Sequence, residues 1–130
     1  MGAPVVFISR NRVKEGKLEG FRKACQDTSE RLNRDKPGTV AFLAYVSDDG
    51  AEVSIIHLFP DADAMDRHLD GVAERTQLAY EFIESAGMEI YGKLNDAALQ
   101  TFKQIAESGL PVTFRRDFIG GYLRPVNGVA

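Results

Sequence analysis

Thr39-Val40-Ala41-Phe42-Leu43-Ala44-Tyr45-Val46-Ser47-Asp48-Asp49-Gly50-Ala51-Glu52-Val53-Ser54-Ile55-Ile56-His57-Leu58-Phe59 reads as two strands and the turn that joins them. Residues 39–47 and 51–59 are rich in β-branched and aromatic side chains, and Asp-Gly suits a turn that needs positive φ. The pair is therefore expected to be an antiparallel hairpin. Its alternation is unusual, because both faces are largely apolar. Val40, Phe42 and Ala44 oppose Ala41, Leu43 and Tyr45, while Val53, Ile55, His57 and Phe59 oppose Ser54, Ile56 and Leu58. A sheet with one wet face alternates apolar and polar residues. Here both faces demand cover.

Toward the N-terminus, Val5-Val6-Phe7-Ile8 marks a strand over residues 4–10. Leu18, Phe21, Cys25, Thr28 and Leu32 then recur at helical spacing, with Glu19–Lys23, Asp27–Arg31 and Glu30–Arg34 as acid–base pairs on the wet side. Pro37-Gly38 ends that helix. Beyond the hairpin, Pro60-Asp61-Ala62-Asp63 opens a second helix that Asp61 or Asp63 can cap. Met65, Leu69, Val72, Thr76, Ala79 and Ile83 mark its buried face, Gly71 invites a bend, and Gly87 stops it. Met88–Leu94 reads as a fourth strand. Asn95 or Asp96 caps a third helix carrying Leu99, Phe102, Ile105 and Ala106, and residues 112–123 read as a last strand broken near Gly120-Gly121.

The order is β-α-β-β-α-β followed by an extra α-β. This is an α+β chain of ferredoxin-like, split-βαβ type with an antiparallel sheet, forming one domain over residues 1–130. Helices cover one face of such a sheet. The other face is expected to meet a second copy, giving a homodimer, unless the extra C-terminal helix folds over it.

Composition removes several classes of function. Lys+Arg number 16 against 19 Asp+Glu, a net charge of −3, and the longest basic run is Arg115-Arg116, so no nucleic-acid partner is expected. No apolar run approaches a membrane span, Met1-Gly2-Ala3-Pro4 does not open a secretory leader, and Val6 breaks a myristoylation motif. With a single cysteine, Cys25, the expected setting is the cytoplasm. No phosphate loop, nucleophile elbow or paired-cysteine motif occurs, and the two histidines lack ligand spacing, so neither metal nor cofactor is expected.

Val5-Val6-Phe7-Ile8-Ser9-Arg10-Asn11-Arg12-Val13-Lys14-Glu15-Gly16-Lys17 resembles the opening of the dimeric α/β-barrel superfamily, whose antibiotic-biosynthesis-monooxygenase-like members often run from a strand through V-K-x-G-K into the first helix. Phe59-Pro60-Asp61-Ala62-Asp63-Ala64-Met65 resembles their exit from the third strand, and His68-Leu69 resembles a pair common in the second helix. The likeness spans about residues 4–94. It implies a dimeric α/β barrel and a range of chemistries: cofactor-independent oxygenation, haem degradation and lactone isomerisation. Haem-degrading members use an Asn in the first strand with a Trp and a His in the second helix. Asn11 lies near that Asn, but the chain has no Trp, His68 stands where the Trp would be, and the later His falls on Ala73 or Glu74. Haem is therefore not expected.

Asn11, His57 and His68 remain as candidate catalytic residues, expected to meet in a cavity between the second helix and the sheet. The two histidines have plainer roles: His57 as a hydrogen-bonded histidine within the sheet or the dimer contact, His68 as a surface helix residue. Cys25 reads as a core thiol, and Tyr45, Tyr80, Tyr91 and Tyr122 as packing residues, with Tyr45 or Tyr91 able to offer a hydroxyl. Arg115-Arg116 can clamp a carboxylate or guard an edge strand. Two functions follow. One is a cofactor-independent monooxygenase or isomerase acting on a small aromatic or polyketide-like molecule. The other is a non-catalytic dimeric module that binds a small ligand or serves in stress. An enclosed pocket with convergent polar groups would favour the first, and a filled core the second.

Overall fold

The computed structural model describes residues 3–124; Met1 and Gly2, on which the readings against a leader and a myristoylation motif partly rest, lie outside them. The described residues form β1 (Val5–Val13), α1 (Leu18–Asp35), β2 (Ala41–Val46), β3 (Glu52–Phe59), α2 (Ala62–Leu69), α3 (Val72–Ala79), β4 (Ile83–Tyr91), α4 (Asp96–Glu107) and β5 (Val112–Arg115). The sheet order is β2-β3-β1-β4-β5. The hairpin forms as expected. Gly50 takes φ 73°, and Asp49 Oδ1 accepts hydrogen bonds from Ser47 Oγ at 2.7 Å and the Ala51 amide at 3.0 Å.

Register decides which residues share a face. Phe42, His57, Phe7 and Ile90 lie in one row across the four strands β2, β3, β1 and β4. This inner face carries the core. Val5, Phe7, Phe59 and Ile90 pack with Ala64 and Met65 of α2 and Phe102 of α4, while Val53 and Ile83 pack with Phe21 of α1 and Ala79 of α3. All four helices therefore press on one side. The C-terminal helix is among them, so it does not cover the outer face. There, rows such as Leu43–Ile56–Ile8 and Ala41–Leu58–Val6 have no helix over them among the described residues. Leu43 is 44% exposed and Tyr45 61%.

Several expectations change. The sheet is not wholly antiparallel: β5 joins β4 in parallel, because a crossover through α4 returns the chain in the same direction. β1 runs on to Val13, which brings Asn11 into the strand. The second helix is two. At Gly71 the backbone turns to φ 80°, a left-handed conformation that ends α2 and starts α3. Ile83, read as part of a helical face, opens β4, and Gly87 lies inside that strand rather than stopping a helix. The last strand ends at Arg115, and residues beyond it carry Ile119 and Tyr122 into solvent at 98% and 79% exposure. On α1 the ion pair is Arg22–Glu19, not one of the three anticipated; Arg34 pairs with neighbouring Asp35.

Caps explain where helices start. Asp61 Oδ1 accepts from the Ala64 amide at 2.8 Å, fixing the entry of α2. Asn95 precedes α4 but spends its side-chain amide on Asp63 and Asp66, at 2.8 and 2.7 Å, lashing α4 to α2.

The break at Gly71 carries the first prediction. A Cβ at φ 80° is sterically unfavourable, so Gly71→Ala should lower the free energy of unfolding by about 1 kcal/mol or more. Urea denaturation checks it, and an unchanged midpoint would mean that the left-handed turn is dispensable.

Candidate functional site

Between the helices and the inner face of the sheet lies a cavity of about 930 Å³, lined mainly by apolar side chains. That is near the upper end of ordinary ligand pockets. Asn11, His57 and His68 all line it. The three residues come from β1, β3 and α2, and each is buried. His57 faces the helices, not the uncovered side of the sheet.

His57 is clamped on all sides. Its ring stacks on Phe7 at 4.7 Å between centroids and meets Phe42 and His68 edge-on, each at 5.2 Å. Its Nδ1 lies 3.0 Å from the Phe7 carbonyl oxygen. A carbonyl can only accept, so Nδ1 carries the proton and Nε2 the lone pair. Burial drives the imidazole pKa down to about 4; the Phe7 hydrogen bond opposes the shift, and the charge of Arg75 adds to it. His68 is taken down to about 3 by burial first, then by His57, Arg75 and Lys36. Its Nδ1 shares a 2.7 Å hydrogen bond with Thr39 Oγ1. Both rings are therefore neutral at pH 7, and both are weak bases.

Asn11 is loosely held. Its side-chain amide donates to Ser9 Oγ at 3.3 Å and to the Val53 carbonyl at 3.4 Å, both long bonds that a better acceptor would replace. Opposite Asn11 on β4 stands Ser85, brought there by a bulge: Arg10 pairs with Gly87 but Asn11 with Ser85, leaving Ala86 over. Ser85 lines the cavity, and its buried hydroxyl has no hydrogen-bond partner among the described residues.

Thr39, Ser85 and Arg75 escaped the sequence reading. No motif marks them, although Arg75 follows Gly71 by one helical turn and so sits on the same side of the break. Arg31, expected to pair with Asp27, instead lines the cavity. Tyr45 and Tyr91 belong to the outer side; the Tyr91 hydroxyl donates to Glu89. Arg115 also lies on that side, on an edge strand. Cys25 lines the cavity half-buried, and burial raises its thiol pKa. Among the described residues, no group of three or more His, Cys, Asp or Glu is placed to hold a metal ion, and no helix is long and apolar enough to cross a membrane.

With its strands, its cavity and its uncovered sheet face in place, the chain can be set beside known proteins. The sequence pattern of the antibiotic biosynthesis monooxygenase family matches residues 4–75, more than half the chain, and the chain belongs to that family. Among solved structures, MupZ from Pseudomonas fluorescens matches with a TM-score of 0.72 at 19% identity, over 99% of this chain and 100% of that one. SnoaB, a cofactor-independent oxygenase from Streptomyces nogalater, matches with a TM-score of 0.60 at 20% identity, over 73% and 97%. Rv0793 from Mycobacterium tuberculosis gives 0.58 at 20% identity, over 73% and 99%. At these identities the likeness is one of fold. No curated protein matches the sequence significantly.

The depressed histidines set a pH dependence with a definite sign. In the unfolded chain an imidazole binds a proton near its ordinary value of about 6.5; in the fold it does so only near 4 or below. Between these values the unfolded state holds more protons, so stability falls as pH falls, by about 1.4 kcal/mol per pH unit for each histidine. Urea unfolding at pH 7 and pH 4.5 should show this loss. His57→Gln should reduce the slope relative to the parent, and parallel pH profiles for the two would refute the burial argument.

Proposed function

We propose that this chain is a single-domain, cofactor-independent monooxygenase or isomerase of a small aromatic or polyketide-like molecule, working as a homodimer in the cytoplasm. The observation that carries the reading is the cavity: about 930 Å³, mostly apolar, with Asn11, His57 and His68 converging on it from three separate elements. A filled core would have left nothing for a substrate. Membership of the antibiotic biosynthesis monooxygenase family supports the same chemistry.

The residues suggest how the work is divided. His57, with Nδ1 committed to the Phe7 carbonyl, offers Nε2 as the proton acceptor. A conjugate acid near 4 makes it a poor base toward an ordinary phenol, since each unit of mismatch costs about 1.4 kcal/mol. The substrate is therefore an acidic enol or polyphenol whose own anion is well delocalised. The Asn11 amide, held only by long hydrogen bonds, and the unpartnered Ser85 hydroxyl are donors for the developing oxyanion. The electron-rich carbon then meets dioxygen: one oxygen atom enters as a ketone, the other leaves as water with the two hydrogens of the oxidised carbon. The electrons come from the substrate. Without oxygen, returning the proton to a different carbon moves a double bond.

The low basicity of both histidines favours a second reading, a dimeric module that binds such a ligand without converting it. Oxygen-electrode and absorbance assays with anthrones and naphthols separate the two. Turnover above autoxidation that falls by about a hundredfold or more in His57→Ala and Asn11→Ala supports the enzyme. Tight binding with neither oxygen uptake nor a change in the ligand's absorbance over time supports the module, and no binding of any phenol would remove both.

The homodimer is read from the outer face of the sheet, where no helix among the described residues lies over Ile8, Leu43, Ile56 and Leu58. At about 25 cal/mol per Å², an apolar patch of several hundred Å² favours association by many kcal/mol. Light scattering at micromolar concentration should give twice the 14.3 kDa chain mass. Leu43→Asp should yield a folded monomer, since the site is already part-exposed in one copy and a buried unpaired charge between two is costly. A parent protein that scatters as a monomer would overturn the proposal.

A further inference from the structure

Arg75 is the charged group that the chemistry above leaves unused. It lines the cavity from α3 and is half-buried. Its Nη2 donates to the His68 carbonyl and its Nη1 to the Asp70 carbonyl, the latter at 3.0 Å. Those two carbonyls lie at the C-terminal end of α2, so one role of Arg75 is to cap that helix. Capping uses two of the five guanidinium N–H groups. The other three have no partner among the described residues, and no Asp or Glu lies within ion-pair distance. Burial lowers the pKa of Arg75, and no neighbouring carboxylate counters it. Its charge is nonetheless close enough to depress both His57 and His68.

A half-buried cation held only by neutral carbonyls is an incomplete arrangement, because the charge has lost water and gained no counter-ion. The side chain cannot drift away to solvent without giving up the cap on α2. It is thus fixed at the wall of an apolar cavity with its remaining donors free. Arg31 of α1, which also lines the cavity, makes no ion pair among the described residues, and although Asp66, Asp70 and Glu81 stand along the same wall, none of them pairs with Arg75. Asp66 is engaged by Asn95. A planar guanidinium fork with parallel free N–H groups matches a carboxylate.

We propose that the cavity selects substrates bearing an ionised carboxylate on their aromatic or polyketide-like frame, and that Arg75 is the residue that binds this group. The inference rests on the cavity being a substrate site, as argued above, and adds to it a class of substrate and a specificity-determining residue. It also gives the bound molecule an orientation, with its acid end at the α2–α3 break and its reacting part toward His57 and Asn11.

Fluorescence titration with two dyes of one ring system tests it: rhein, an anthraquinone carboxylic acid, and aloe-emodin, in which a hydroxymethyl group replaces the carboxyl. The parent protein should bind rhein about tenfold or more tighter than aloe-emodin. Arg75→Gln should erase that preference while changing aloe-emodin affinity by no more than about threefold. If Arg75→Gln does not fold, Arg75→Lys serves: a point charge without the fork should keep only part of the preference, and an unchanged preference would overturn the assignment. A parent protein that binds both dyes equally overturns the inference and leaves the cavity reading intact. Failure to bind either dye overturns both. Equal losses for the two dyes in Arg75→Gln would make Arg75 a helix cap alone.

Discussion

His57 Nδ1 donating to the Phe7 carbonyl ties the two central strands together at the floor of the cavity. The bond has to be made, because a buried imidazole nitrogen without a partner would cost a few kcal/mol. Once it is made, the tautomer is settled, the ring stacks on Phe7, and the neighbouring rings of Phe42 and His68 find their places around it. The inner face of the sheet is thereby committed to the helices, and the apolar residues of alternate positions are committed to the opposite side. An uncovered face and a lined cavity are two results of one choice of register.

The same burial that orders the site limits its chemistry. Desolvation holds His57 and His68 neutral, and neutral histidines at this depth accept hydrogen bonds better than they store protons. Catalysis by such groups needs a substrate already inclined to ionise, or donors that stabilise the anion. Asn11 and Ser85 face that need across the β1–β4 ladder. Arg75 answers a different one: it places a fixed positive charge beside two weak bases, making a protonated imidazole still less favourable. A cavity built this way works through the acidity of what it binds.

Much of the fold was legible in the sequence, because local signals agreed with one another. The Asp48-Asp49-Gly50 turn, the apolar hairpin and the capped helix after Pro60 each point to the same topology. Legibility failed where one periodicity ran across a break. Met65, Leu69, Val72, Thr76, Ala79 and Ile83 keep helical spacing, yet Gly71 divides them and Ile83 belongs to a strand. The convergence of Asn11, His57 and His68 could be anticipated from element order. The face taken by His57 could not, since apolar residues lie on both sides of β3 and only packing chooses between them. Arg75 and Ser85 carry no motif; they matter because of what they lack around them.

The bulge at Ala86 has a consequence for how this strand tolerates change. Residues before it and after it face the helix-covered side on opposite parities: Met88 and Ile90 are even-numbered, Ser85 and Ile83 odd. Losing Ala86 would merge the two halves into one uninterrupted ladder and leave Ser85 still opposite Asn11. Losing a residue elsewhere in β4 would turn everything beyond it inside out, trading Ile83 or Ser85 for the charge of Glu84. Ala86 is a spare link in the chain, the place where this wall of the cavity can shorten without changing what it presents.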